Sequence, residues 1–155
     1  MQTSDSISPQ DLEQAVFDLT CEVLETMFFL FPEAEPGSPG QSSEPVVSAI
    51  FRFHGQPSGA LLISMSEAAA RTAAANFLAL DESETLSTHV EEVVCEMANM
   101  IGGSLLGRLE SGTPLQPYPP ETVAADLFGE AAPAVRHWFQ IENGVLAVSV
   151  FWENR

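Results

Sequence analysis

Residues 92–103 read Glu92-Val-Val-Cys-Glu96-Met-Ala-Asn99-Met-Ile-Gly-Gly103, and this stretch decides how the rest of the chain is read. Glu92, Glu96, Asn99 and Gly103 stand at i, i+4, i+7 and i+11. At about 100° per residue they fall within roughly 60° of one another on a helix. Val90, Val94, Met97, Ile101 and Leu105 take the opposite side, which is wholly apolar. The spacing predicts a helix from about Ser87 to Leu109, ended by Ser111-Gly-Thr-Pro. It buries an aliphatic stripe and displays a row of chosen polar groups. A solvated helix face usually mixes charges and carries long Lys or Arg side chains. This row offers two carboxylates, a carboxamide and a gap where another backbone can come close.

Upstream of that helix, Ser66 to Leu80 is alanine-rich and predicts a second helix with Ser66 as its cap, followed by a polar break at 81–85. Val46–His54 and Ala60–Met65 predict two strands joined around Gly55-Gln-Pro-Ser-Gly59, an antiparallel hairpin. Before them, Ser8-Pro9-Gln10-Asp11 predicts the start of a first helix running to about Leu30 and ended by Phe31-Pro32. Residues 1–8 read as a flexible tail and 32–45, rich in Pro, Gly and Ser, as an exposed loop. Residues 9–155 then make one domain. Downstream, 113–133 holds five prolines and predicts loop with one edge strand within Glu121–Leu127. The chain closes on a hairpin, Ala134–Ile141, a Glu142-Asn143-Gly144 turn and Val145–Trp152. The last strand is apolar on both faces, so it is either central or continues across a subunit boundary. The fold class is α+β, a largely antiparallel sheet covered by long helices.

Composition narrows the function. Twenty-two acidic residues against five arginines and no lysine give a net charge of -17. That balance excludes nucleic acid and anionic membrane surfaces as partners and favours a basic partner, or simply high solubility. No apolar run approaches the roughly 20 residues that span a bilayer, and Met1-Gln-Thr-Ser-Asp-Ser has no signal-peptide character, so a cytoplasmic protein is expected. Cys21 and Cys95 match no metal or redox spacing and read as buried free thiols. His54, His89 and His137 follow no ligand pattern and read as strand and helix-start residues, so no metal site is expected. No Ser-His-Asp arrangement or phosphate-cradling glycine loop is present.

Glu96-Met-Ala-Asn99-Met-Ile-Gly-Gly103 resembles the E-x-x-N-x-x-x-G signature of the CheC/CheX/FliY phosphatases of bacterial chemotaxis. Phe53-His54-Gly55 with Gly59 resembles that family's FxG…G strand-turn-strand ahead of an Ala-rich helix. The likeness covers roughly residues 12–153. The motif occurs once, as in the CheX branch. In this family the position four before the glutamate is often Asp or Ser; here it is Glu92. The resemblance implies a CheC-like fold, a homodimer and an activity: hydrolysis of the phospho-aspartate of a CheY-like receiver domain. It implies no cofactor of the chain's own, with Mg2+ held by the receiver. Asn99 would orient the attacking water and Glu96 would pair with the receiver's lysine. Glu92 would extend the acidic contact, and Gly103 with Gly102 would let the partner's backbone approach.

The same residues admit plainer readings. Glu92 and Glu96 alone are an ordinary acidic face, Asn99 alone a surface residue, and Gly102 and Gly103 a helix–helix packing notch. Two alternatives to the phosphatase follow: a non-catalytic receiver-docking or flagellar-switch-like module, and a structural dimeric domain whose Gly-rich helix only packs.

Overall fold

The computed structural model describes residues 7–34, 45–110 and 112–153. The elements run α1 (Pro9–Met27), β1 (Val46–His54), β2 (Gly59–Ser66), α2 (Glu67–Leu78), a 3-10 turn (Glu82–Glu84), α3 (Ser87–Leu109), β3 (Gln116–Pro117), β4 (Glu121–Val123), β5 (Val135–Ile141) and β6 (Gly144–Trp152). The strands form one antiparallel sheet in the order β3-β1-β2-β6-β5, with β4 also on β1. The α+β expectation, helices covering an antiparallel sheet, is what the structure shows.

Strand alternation divides the sheet. Phe51, Phe53, Leu61, Ile63, Leu146, Val148 and Val150 join the buried stripes of α1, α2 and α3 in the main core. Ile50, Ala60, Leu62 and Phe151 face the other way into a smaller cluster, where Phe128 stacks on Phe151 with ring centroids 4.0 Å apart. The proline-rich stretch after α3 therefore covers the second face. It contains one more edge strand than expected: β3 pairs His54 and Phe53, and only β4 lay in the anticipated span. Two residues with a proline carry too little periodicity to be read as a strand.

β6 lies between β2 and β5, which explains its two apolar faces without a neighbouring subunit. Ser66 precedes α2 but does not cap it through its side chain; its Oγ accepts from the Val145 N–H at 3.2 Å and ties α2 to β6. At α1, Ser8 Oγ accepts from Asp11 N–H at 3.0 Å and Pro9 opens the helix, as expected. The helix stops at Met27, three residues before the expected end. Phe29 adopts a left-handed backbone with φ 55°, and the Leu30 N–H returns to the Leu24 carbonyl at 2.9 Å. This turn drives Phe28 and Leu30 into the core while Phe29 points outward. Most of the anticipated loop 32–45 lies outside the described residues, as does most of the tail 1–8. No described helix is long and apolar enough to cross a membrane.

Candidate functional site

α3 spans Ser87–Leu109, the predicted bounds. The Leu86 N–H donates to His89 Nδ1 at 3.0 Å and fixes its start. At its end the Glu110 N–H returns to the Leu106 carbonyl, and Glu110 Oε2 accepts from the Leu115 N–H at 2.9 Å. The helix packs on β1, β2, α1 and α2, with β4 alongside. Val90, Val94, Met97, Ile101 and Leu105 are buried, joined by Val93, Ala98, Leu106 and Leu109. Glu92, Asn99 and Gly103 are exposed and Glu96 is half-buried. The row read from spacing is thus a continuous outer strip, about 16 Å long at 1.5 Å rise per residue.

The two adjacent glycines have opposite surroundings. A Cβ at Gly103 would meet nothing within 4 Å, so the helix backbone is open to an approaching molecule there. A Cβ at Gly102 would lie 2.8 Å from Phe51 Cε2 and closer still to Cδ2 and Cγ of that ring. Gly102 is buried and cannot touch a partner as expected. It is a seat for Phe51, one residue step from Gly103: adjacent helical residues point about 100° apart. The packing notch is real, but it is helix-on-strand and belongs to Gly102 alone.

Electrostatics around the strip are acidic. Glu91 is exposed beside Glu92, and the carboxylate of Glu121 on β4 acts on Cys95, the neighbour of Glu96. Burial raises the Cys95 thiol above its ordinary value, and the carboxylates of Glu91, Glu121 and Glu96 raise it further. Cys95 is therefore a protonated, poorly nucleophilic group next to Glu96 rather than a reactive thiol. Cys21 behaves similarly through burial with Glu25 and Asp18. Both cysteines are free, as expected, but only partly buried. The two ion pairs among the described residues are Arg52–Glu121 at 2.9 Å and Arg71–Glu67 at 3.9 Å. Neither uses Glu92 or Glu96, whose charges remain available to an incoming cation. Among the described residues no three His, Cys, Asp or Glu cluster as a metal site would require.

This strip can orient rather than bond covalently. An exposed carboxamide can accept from and donate to one water while staying neutral beside an anion. A half-buried carboxylate three residues earlier can hold a cation in fixed register with that water. Sequence spacing found all of these residues. It did not find Phe51, whose ring makes Gly102 obligatory, or Glu121, which borders the strip from another element. Neither position carries a local signal that would mark it.

A family model described as "Chemotaxis phosphatase CheX" matches residues 47–141. The chain belongs to that family. Among solved structures it resembles the chemotaxis protein CheX from Vibrio vulnificus, with 23% identity, TM-score 0.73 and coverage of 96% of this chain and 100% of that one. It also resembles a chain of the CheX–CheY–BeF3–Mg2+ complex from Borrelia burgdorferi, with 20% identity, TM-score 0.69 and coverage of 93% and 99%. A more distant likeness is FliY from Thermotoga maritima, at 12% identity and TM-score 0.58, covering 98% of this chain and 91% of that one. These likenesses show a CheC-like fold. No curated protein matches the chain in sequence.

Proposed function

We propose that this member of the chemotaxis phosphatase CheX family hydrolyses the phospho-aspartate of a CheY-like receiver domain. The observation that carries the reading is the outer strip of α3. Glu92, Asn99 and Gly103 are exposed, Glu96 is half-buried, and the helix beneath is locked by its buried stripe and by Phe51 against Gly102. A related structure is described as a CheX–CheY complex containing BeF3 and Mg2+, which supports a receiver as the partner.

Hydrolysis of an acyl phosphate passes through a loose transition state, so placing the water in line contributes most. The water oxygen attacks phosphorus, the bond from phosphorus to the aspartyl oxygen breaks, and carboxylate and inorganic phosphate leave. Asn99 aims that water. A carboxylate in its place would repel the phosphoryl oxygens. Glu96 pairs with the receiver's lysine; its half-buried position lowers the local dielectric and strengthens the pair. Glu92 extends the acidic contact toward the start of α3, and Gly103 admits the partner's backbone. Magnesium belongs to the receiver and this chain supplies none.

The reading includes a homodimer in the cytoplasm, by likeness to the CheX branch. β6 is paired on both sides, so a second copy would add at an outer strand, β5 on one side of the sheet or β3 and β4 on the other. The deciding experiment is the half-life of receiver phosphate under single-turnover conditions with magnesium, comparing wild type with Asn99→Ala. Loss of the acceleration in the variant supports hydrolysis. An unaccelerated half-life with wild type, despite binding, assigns the strip to docking alone.

A further inference from the structure

The end of α1 presents an apolar corner that the phosphatase strip does not use. Met27, Phe29 and Phe31 are 41%, 59% and 66% exposed, three large apolar side chains at alternate positions. The segment carrying them is held rather than loose. Between them, Phe28 and Leu30 are buried, and Phe28 stacks on Phe77 with centroids 5.0 Å apart. Asn76 Nδ2 donates to the Phe28 carbonyl at 2.9 Å, and the Glu33 N–H donates to the Gln140 carbonyl of β5 at 2.9 Å. Phe29 has φ 55°, a conformation that glycine or asparagine usually supplies at a helix end. A strained backbone here displays an aromatic ring to solvent.

We propose that Met27, Phe29 and Phe31 dock a segment of another protein that combines an apolar or aromatic anchor with flanking Lys or Arg. Two observations choose this occupant. First, the sequence on either side of the described segment is poor in apolar groups. Residues 35–44 are Glu-Pro-Gly-Ser-Pro-Gly-Gln-Ser-Ser-Glu, without one aliphatic or aromatic side chain other than proline, and residues 1–6 hold a single Met. Second, the neighbourhood is acidic, and no ion pair among the described residues engages its carboxylates. Glu22, Glu25 and Glu33 are exposed around the end of α1. Arg52 is taken by Glu121, Arg71 by Glu67 and the Thr85 carbonyl, and Arg136 by Ser149, while Arg108 lies in the last turn of α3. The Cys21 thiol, raised by burial and by Glu25 and Asp18, registers the same field. A basic, apolar-anchored partner meets attraction at the rim and burial at the centre. This surface is independent of the α3 strip and does not rest on the phosphatase reading.

The probe is a fluorescent amphipathic peptide of about 14 residues, Leu and Lys at helical spacing, beside its scrambled isomer of equal charge. Anisotropy titrations at about 0.15 M salt compare wild type with the double variant Phe29→Asn, Phe31→Ser. Asparagine accepts the left-handed conformation, so a thermal melt should show the variant folded. Should it melt early, Met27→Gln, on the helix proper, is read in the same way. Wild type is expected to bind the amphipathic peptide about tenfold more tightly than the isomer, and the variant to lose that preference. Equal binding of the two peptides by wild type, or equal preference in wild type and variant, overturns the proposal, since charge alone then suffices. A variant whose light-scattering mass falls to half that of wild type also overturns it, because a second copy is then the occupant.

Discussion

Replacing Gly102 and Gly103 one at a time with alanine separates the two duties of α3. Both changes remove a helix-interior glycine, so both gain about 1 kcal/mol of helix propensity. That shared gain cancels when the two variants are compared. The difference between them isolates packing. At Gly103 the new methyl meets nothing within 4 Å. At Gly102 it lands within 3 Å of three ring atoms of Phe51, which is 2% exposed and faces Leu61 across the sheet register. The ring cannot swing away without opening the core. Overpacking of this kind costs about 1–3 kcal/mol, so Gly102→Ala should be the less stable variant by that amount. At about 2–4 °C per kcal/mol for a domain of this size, thermal unfolding should show a gap of several degrees between the variants. Gly103→Ala should melt above wild type. Its methyl nevertheless stands where the receiver backbone approaches, so it should lengthen the half-life of receiver phosphate while stabilising the protein. Equal melting temperatures for the two variants would refute the Phe51 seat. A stabilised Gly103→Ala with full phosphatase activity would refute the approach at Gly103.

Asn99→Ala should lower the dephosphorylation rate on the order of 10²-fold or more in single turnover while weakening receiver binding far less. Glu96→Ala should impair both rate and binding, seen by titrating labelled receiver, because a charge partner at the interface is lost. Both variants should retain the wild-type melting profile, since neither side chain belongs to the buried stripe. Multi-angle light scattering at micromolar concentration should give twice the 16.7 kDa chain mass; a lone monomer peak would remove the dimer. Cys95, whose thiol is pushed up by burial and nearby carboxylates, should be mostly protonated at neutral pH. Iodoacetamide should label it more slowly than free cysteine, with the rate rising as pH is raised.

The bounds and the buried stripe of α3 are legible in the sequence because two independent demands agree on one period. Val90, Val94, Met97, Ile101 and Leu105 must repeat every turn to reach the core, and Glu92, Glu96, Asn99 and Gly103 must repeat every turn to share a surface. Few other conformations satisfy both. The hairpins β1–β2 and β5–β6 were legible for a similar reason, since each pairs apolar runs across a turn rich in Gly. Where only one weak signal was present, the reading drifted. The early end of α1 depends on Phe29 accepting a positive φ, which a phenylalanine does not announce. β3 is held by its pairing with β1 rather than by its own residues. Ser66 has a cap's composition, but its hydroxyl is claimed by Val145, a partner 79 residues away.

Gly102 shows the limit most sharply and bears on how the strip works. From sequence, Gly102 and Gly103 look equivalent, because a missing side chain reads the same whether it makes room inside or outside. Only the tertiary partner distinguishes them. Phe51 fills the inner gap and leaves the outer one open, so the pair fixes the helix at the level where, under the proposed function, a receiver would approach. A helix free to roll by even part of its 100° residue step would carry Asn99 out of line with an attacking water. Phe51 against Gly102 opposes that roll, nearly one turn beyond Asn99 and about 100° round the helix from Gly103. On this argument Phe51→Leu, which leaves part of the seat unfilled, should cost more in turnover at saturating receiver than in receiver affinity. The check is the same single-turnover assay run across receiver concentrations. A variant that loses affinity but keeps its saturated rate would show that the seat does not position Asn99.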